Sequence, residues 1–536
     1  MNESQARPPD SGSESTHWES EEKRTRSAWA ARLTLLIALP SAIQACVFAK
    51  MLLYFVTVHN EGAYPESIGV YGFVTAFHTH RFYQPPFGFP WIAQIFGPLF
   101  VMLGTFFARM FHGDPTSLTV FVRALSFASL LGSIVIVGWL GFRLEGNKTW
   151  AAAAAILGLG CFWLVPIAAS VRPDLPAIFL IIAALAIYEL GKERPWFLFL
   201  AGVLGAASFL TKQNTAPILL ALLIDRLWAR RFRGACIFIA GGLSVAIPIL
   251  GILWLRHEPF LANFTVITFA IYDWPSVPST LVNFLRVNQM ALLSMFIGLL
   301  GAACTWRNPK YRASLLATVL AWVSNVAALA NVGGGVNYFI LPWLLIFLFV
   351  PAGLMQLERW AQRRLWIPVA LFLLAASVVI HQRSLLRIKL PAGLTLDGVG
   401  ELTVLGDNPY LELRSRQPQL MDPYTYNELS RRGVWSDAGV RAKIDAEDYD
   451  LLWLGGGNAK ADSGFDVASF RGNSFWGADL LREMGLHYRA LCETEDHLAM
   501  APRDRTSSID SEKIEEIFHQ PCSATNRLPE VAPGNN

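Results

Sequence analysis

Leu118–Arg143 reads LTVFVRALSFASLLGSIVIVGWLGFR. Residues 118–142 form an apolar run longer than the ~20 positions a helix needs to cross about 30 Å of hydrocarbon. A basic pair, Arg143 and Lys148, follows, and the next apolar run opens at 149. Working outward, comparable runs stand near 32–57, 89–111, 149–170, 175–190, 196–211, 214–227, 235–255, 287–305, 313–331, 337–356 and 365–381. The chain is 53% hydrophobic and 16% charged, well below the roughly 25% charge of a soluble domain. The fold class is a polytopic α-helical membrane protein. A net charge of +3, with basic residues clustered between apolar runs, speaks against a nucleic-acid partner and for membrane lipids as surroundings.

The basic clusters orient the chain. Lys23, Arg24, Arg26 and Arg32 precede the first run. Others follow at Arg143/Lys148, Lys192/Arg194, Arg226 to Arg233, Arg307 to Arg312 and Arg359 to Arg364. Short loops rich in Lys and Arg stay in the cytoplasm. The intervening loops carry no such clusters: Arg172-Pro173-Asp174, Lys212-Gln213-Asn214, 256–286, and Gly333-Gly334-Gly335-Val336-Asn337-Tyr338. These are expected to face out.

This alternation constrains the run at 89–111. With the N-terminus inside, the first span ends outside, and only one crossing can separate it from Arg143. The 89–111 run, interrupted by Pro90, Gly97, Pro98 and Gly104, then reads as re-entrant or interfacial, with a full crossing as the alternative. About eleven crossings are expected, with the C-terminus outside.

Residues 1–27 are polar and read as a disordered cytoplasmic N-terminus. The membrane domain is expected over 28–382, with its first outer loop at 58–117. Residues 383–536 are mixed, with strand-like runs at 402–405, 449–454 and 498–501 and helix-like runs at 425–432, 438–446 and 478–484. They read as a small soluble α/β domain on the outer side. Cys492 and Cys522 lie in it and can pair if it faces an oxidising compartment. No CxxC or His-rich spacing calls for a metal.

Ionisable residues gather on the expected outer face, where charge beside hydrocarbon is costly and usually functional or paired. Glu61 stands two residues past the first span, in His59-Asn60-Glu61-Gly62-Ala63-Tyr64. Arg172, Asp174 and Lys212 end or open spans, and Asn337 and Tyr338 open a late one. Glu66 reads as a solvated residue of the first loop, and His78 and His80 as interfacial. Cations suit a lipid phosphate as leaving group, by neutralising the charge that develops on it. A loop carboxylate suits deprotonation of an acceptor hydroxyl.

The motif order Glu61…Tyr64, Tyr83-Gln84-Pro85-Pro86, Arg172-Pro173-Asp174 and Phe209-Leu210-Thr211-Lys212-Gln213-Asn214 resembles the GT-C glycosyltransferases. The likeness is to the bacterial branch related to protein O-mannosyltransferases, aminoarabinose transferases and Rgt-type galacturonosyltransferases, over residues 30–380. It implies a GT-C-like membrane domain, a polyprenyl-phosphate sugar donor and a hydroxyl acceptor on the outer face of the cytoplasmic membrane. It also implies Glu61 as catalytic base, Asp174 as second acidic site residue, and Lys212 and Arg172 as ligands of the phosphate. Tyr64, Asn337 and Tyr338 are further candidates for the binding site. The family often has two adjacent acids in the first loop. Here the first is Asn60, which weakens a metal-assisted mechanism while leaving a divalent metal open. The alternatives are a transporter or flippase of a lipid-linked or small anionic substrate, and a non-enzymatic scaffold. Neither oligomeric state nor the identity of sugar and acceptor is written in the sequence.

Overall fold

The computed structural model describes residues 66–88, 94–159, 165–168, 170–191, 193–268, 274–287, 289–330, 336–363, 399–406, 409–416, 423–455, 476–493, 497–503 and 509–518, with single residues between 42 and 56. Glu61, Tyr64, Cys522 and the apolar run 365–381 lie outside these described residues.

Among the described residues, five helical segments are long and apolar enough to cross a membrane by themselves: Pro115–Glu145, Asp174–Gly191, Phe232–Leu255, Pro309–Leu329 and Asn337–Trp360. Shorter apolar helices accompany them at Pro98–Met110, Lys148–Leu159, Pro195–Thr211 and Ala291–Thr305. In chain order we label α1 (Glu66–Thr79), α2 (Pro98–Met110), α3 (Pro115–Glu145), α4 (Lys148–Leu159), α5 (Asp174–Gly191), α6 (Pro195–Thr211), α7 (Ala216–Trp228), α8 (Phe232–Leu255), α9 (Gln289–Thr305), α10 (Arg312–Leu329) and α11 (Asn337–Trp360).

Local chemistry sets the longest helix. Asp114 caps α3 by accepting from the amides of Thr116 (3.3 Å) and Ser117 (2.8 Å), and Pro115 supplies a preset first turn. Gly146 ends it in the left-handed region at φ 75°. Close helix contact is set by small residues. A Cβ on Gly202 would stand 2.0 Å from the Phe238 carbonyl oxygen, and one on Gly241 would stand 2.1 Å from that of Phe199. α6 and α8 therefore touch backbone to backbone, the packing that substitutes for the hydrophobic effect in lipid. α11 is almost entirely buried at the centre of the bundle, whereas α8 shows most of its apolar surface outward.

Polar contacts sort the helix ends onto two faces. Lys310 Nζ donates to the Arg143 carbonyl (3.3 Å), Arg312 Nε to Asp225 Oδ1 (2.6 Å), and Arg231 pairs with Glu193. These join the arginine-rich loops near 143–148, 191–195, 228–232 and 305–312. On the opposite face Asp174 meets Lys212 and Asn337, the Val171 amide meets Glu66, and Arg256 reaches the His80 carbonyl.

α2 begins at Gly97, packed on the carbonyls of Leu210 and Thr211 where α6 ends. It ends at Met110, just before the Asp114 cap of α3. Both ends thus stand beside residues of this second face.

Beyond residue 399 the described chain forms a four-stranded sheet: β1 (Val404–Gly406), β2 (Leu451–Gly455), β3 (Tyr488–Glu493) and β4 (His497–Pro502), in the order β1-β2-β4-β3. β1 and β2 are parallel, and the other pairings are antiparallel. Alternation along β2 sends Leu452 and Leu454 to one apolar core and Leu451 and Trp453 to another. The first core takes in Val266 and Ile95 from the membrane part, Leu413 packs against Ile68, and the Tyr426 hydroxyl donates to the Pro86 carbonyl. The sheet thus docks on the same face as Lys212. Cys492 on β3 is disulfide-bonded.

Candidate functional site

Asp174 opens α5 with its carboxylate 1% exposed, where an acid complements the positive end of the helix. Lys212 closes α6 in extended backbone and sends its ammonium to Asp174 Oδ1. Asn337, at the start of α11, donates Nδ2 to the same oxygen at 2.8 Å. Arg172 Nε stands 3.4 Å from the other oxygen, Oδ2. The Lys212 ammonium also lies 5.4 Å from the ring centre of Tyr338, within reach of a cation–π contact. Five of the seven residues singled out from the sequence therefore meet in one cluster built from three parts of the chain. Glu61 and Tyr64 lie outside the described residues.

Two cations against one carboxylate leave the cluster positive. Burial pulls the Lys212 ammonium below the ordinary lysine pKa, with Arg172 adding to the fall and Asp174 opposing it. The Asp174 carboxylate is engaged by Lys212, Arg172 and Asn337, which suits it to holding cations in place. A metal ion at Asp174 would have to displace these partners. Among the described residues, the acidic group spaced to hold an ion is Asp445, Glu483 and His487, on C-terminal helices.

The polar surroundings extend beyond the expected residues. Asn214 Nδ2 reaches Asn325 Oδ1 on α10 at 3.4 Å, two residues past Lys212. Glu66 departs from expectation: it is fully buried and takes two bonds from Arg123, Nε to Oε1 at 2.6 Å and Nη2 to Oε2 at 2.7 Å. The physical reason is Arg123 itself, an arginine inside an apolar run that needs a buried counter-charge. Arg123 inside an apolar run signals in the sequence that a buried acid must meet it, but not which acid.

The Tyr83-Gln84-Pro85-Pro86 motif stitches the first loop down. The Tyr83 amide donates to Glu258 Oε2 (3.1 Å), and its buried hydroxyl donates to the Phe96 carbonyl (2.9 Å). Asn263 accepts from the Gln94 amide and donates to the Gln84 carbonyl, both at 2.7 Å. His78 and His80 are exposed.

No protein-family model matches the chain, and no curated protein matches its sequence. Solved structures do. ArnT from Cupriavidus metallidurans in the apo state matches with TM-score 0.51 at 12% identity, over 86% of this chain and 97% of that one. The archaeal oligosaccharyltransferase AglB from Archaeoglobus fulgidus, in complex with an inhibitory peptide and a dolichol-phosphate, matches with TM-score 0.50 at 13% identity, over 89% of this chain and 74% of that one. At such identity the likeness is one of fold.

Proposed function

We propose that this chain is a membrane glycosyltransferase that moves a sugar from a polyprenyl-phosphate donor to a hydroxyl acceptor. The observation that carries the reading is the net-positive cluster of Lys212, Arg172 and Asp174 at one face of a GT-C-like bundle. A lipid phosphate needs its developing charge neutralised as it leaves, and preset cations in a dry site do this without reorganisation. The fold relatives point the same way, since one was solved with a dolichol-phosphate.

In this reading Glu61 takes the proton of the acceptor hydroxyl. The acceptor oxygen then bonds to the anomeric carbon. The bond from that carbon to the phosphate oxygen breaks, and the phosphate leaves with the electron pair, held by Lys212 and Arg172. Displacement in one step inverts the anomeric centre. Asp174 and Asn337 hold Lys212 in place, and Tyr338 and Tyr64 help to line the donor site.

The fuller topology belongs to the same proposal. In it, α3 to α11 count as nine passes between the two faces. Adding the apolar runs 32–57 and 365–381 gives eleven, N-terminus in the cytoplasm and the C-terminal α/β domain outside. The disulfide at Cys492 supports an oxidising side for that domain.

The test is sugar transfer by purified protein in proteoliposomes supplied with synthetic polyprenyl-phosphate sugars. Wild type is expected to transfer, and Lys212→Ala, Arg172→Ala and Glu61→Gln each to lose at least tenfold in kcat. Full activity of Glu61→Gln would remove Glu61 from its role. Uptake of substrate without any transfer would replace the reading by that of a transporter.

A further inference from the structure

The Glu66–Arg123 pair stands outside the Lys212 cluster, yet it touches the cluster's frame. Glu66 Oε1, besides taking Arg123 Nε, accepts the backbone amide of Val171 at 2.8 Å. Val171 directly precedes Arg172. On α3, three positions on from Arg123, Ser126 Oγ donates to the Ser170 carbonyl at 3.0 Å. The turn from Ser170 to Asp174 is thus gripped on successive residues from one helix face, once through Glu66 and once directly. Gly69, one turn along α1 from Glu66, makes this approach possible. A Cβ there would stand 3.0 Å from the Phe96 ring and 3.4 Å from the Val171 carbonyl oxygen.

All of Glu66, Arg123, Ser170 and Val171 are fully buried. A buried ion pair is no better for stability than well-packed apolar side chains, so its retention asks for another reason. An apolar pair cannot hold the Val171 amide. The carboxylate can, and the two-pronged guanidinium fixes the carboxylate in plane and direction.

We infer that Glu66 and Arg123 are a positioning pair: their ion pair locks the Ser170–Asp174 turn and so sets where Arg172 and Asp174 stand against Lys212. The inference rests on the transferase reading for its kinetic consequence, and on the hydrogen-bond geometry alone for its structural one. Misplacing a reacting group by about 1 Å costs up to about a hundredfold in rate.

The experiment uses the full chain in lipid nanodiscs, with Arg123→Lys and the apolar double variant Glu66→Leu/Arg123→Met. Four quantities are read: thermal unfolding, amide hydrogen exchange at residues 170–174, affinity for sugar-free polyprenyl phosphate, and kcat and KM of transfer. The double variant is expected to unfold close to wild type while its Val171, Arg172 and Asp174 amides exchange at least tenfold faster. Its kcat should fall at least tenfold. Arg123→Lys, which keeps the charge and loses the second prong, should fall between the two. A folded variant with wild-type exchange and wild-type kcat overturns the inference. If the double variant does not fold, Arg123→Lys decides by the same readouts. If wild type neither binds polyprenyl phosphate nor transfers sugar, the transferase reading fails, and exchange at 170–174 still decides the positioning.

Discussion

Asn337 and Asp174 stand 163 positions apart in sequence and 2.8 Å apart in space, amide to carboxylate. Their bond joins the start of α11, the central helix, to the start of α5. The Lys212 ammonium lands on the same carboxylate oxygen, so Asn337 and Lys212 share Asp174 Oδ1. Asn337→Ala removes one of these donors. A hydrogen bond to a charged group contributes about 1.5–3 kcal/mol, which corresponds to roughly ten- to hundredfold. The expected outcome is a loss of that order in kcat/KM for a polyprenyl-phosphate sugar. Asn337→Asp should lose more, because it sets a second carboxylate against Asp174. Steady-state transfer with both variants checks the order, and an Asn337→Asp variant as active as Asn337→Ala would contradict it.

The lowered pKa of Lys212 gives a pH limb. Its ammonium is lost more readily than that of a free lysine because burial disfavours the charged form. The charged form is the one that binds phosphate, so the Lys212 contribution to affinity is present while the ammonium is charged and is lost as pH rises through a value below the ordinary lysine range. Lys212→Arg keeps the charge at every working pH. The expected outcome is an alkaline decline in polyprenyl-phosphate affinity for wild type and none for Lys212→Arg, whatever its absolute affinity. Calorimetric binding across pH checks this.

The cluster was readable in the sequence because charge at the end of an apolar run has few cheap explanations. Arg172, Asp174 and Lys212 announce themselves that way, and the glycines before Asn337 and Tyr338 mark where a span opens. The alternation of arginine-rich loops likewise carried the two-faced arrangement of the bundle. The role of Glu66 was not readable. A glutamate in a loop looks solvated until its partner is known, and nothing in the residue order says that Arg123 turns towards it. β3 was missed too. Tyr488–Glu493 alternates poorly, begins directly at the end of a helix, and carries an irregularity between Ala490 and Cys492 in its pairing with β4.

The Tyr426 hydroxyl donates to the Pro86 carbonyl and is among the contacts that fasten the C-terminal sheet to the first loop. Tyr426→Phe keeps the ring in its apolar core and removes the bond alone. A net loss of about 1 kcal/mol is expected. Hydrogen exchange should rise at residues 82–88 and stay unchanged at the arginine-rich face. A uniform rise across the chain would mean that the contact stabilises the whole fold rather than the docking.

Gly241 faces the Phe199 carbonyl so closely that a Cβ would stand 2.1 Å from its oxygen and 3.1 Å from the Phe199 Cα. Backbone atoms cannot yield as a flexible side chain does, so Gly241→Ala forces α8 away from α6. The reciprocal contact at Gly202 leaves no slack, because the displaced helix loses both approaches together. Overpacking of this kind costs about 1–3 kcal/mol, and more where backbone blocks relaxation. α6 ends in Lys212, so the shift is transmitted to the cluster as well. Gly241→Ala is expected to lower the thermal midpoint and to reduce transfer, whereas Gly251→Ala, on the same helix with no atom within 4 Å of its new Cβ, should do neither. Thermal unfolding and transfer measured on the two variants side by side check the prediction, and equal behaviour of the pair would show that the close contact at Gly241 does not set the helix spacing.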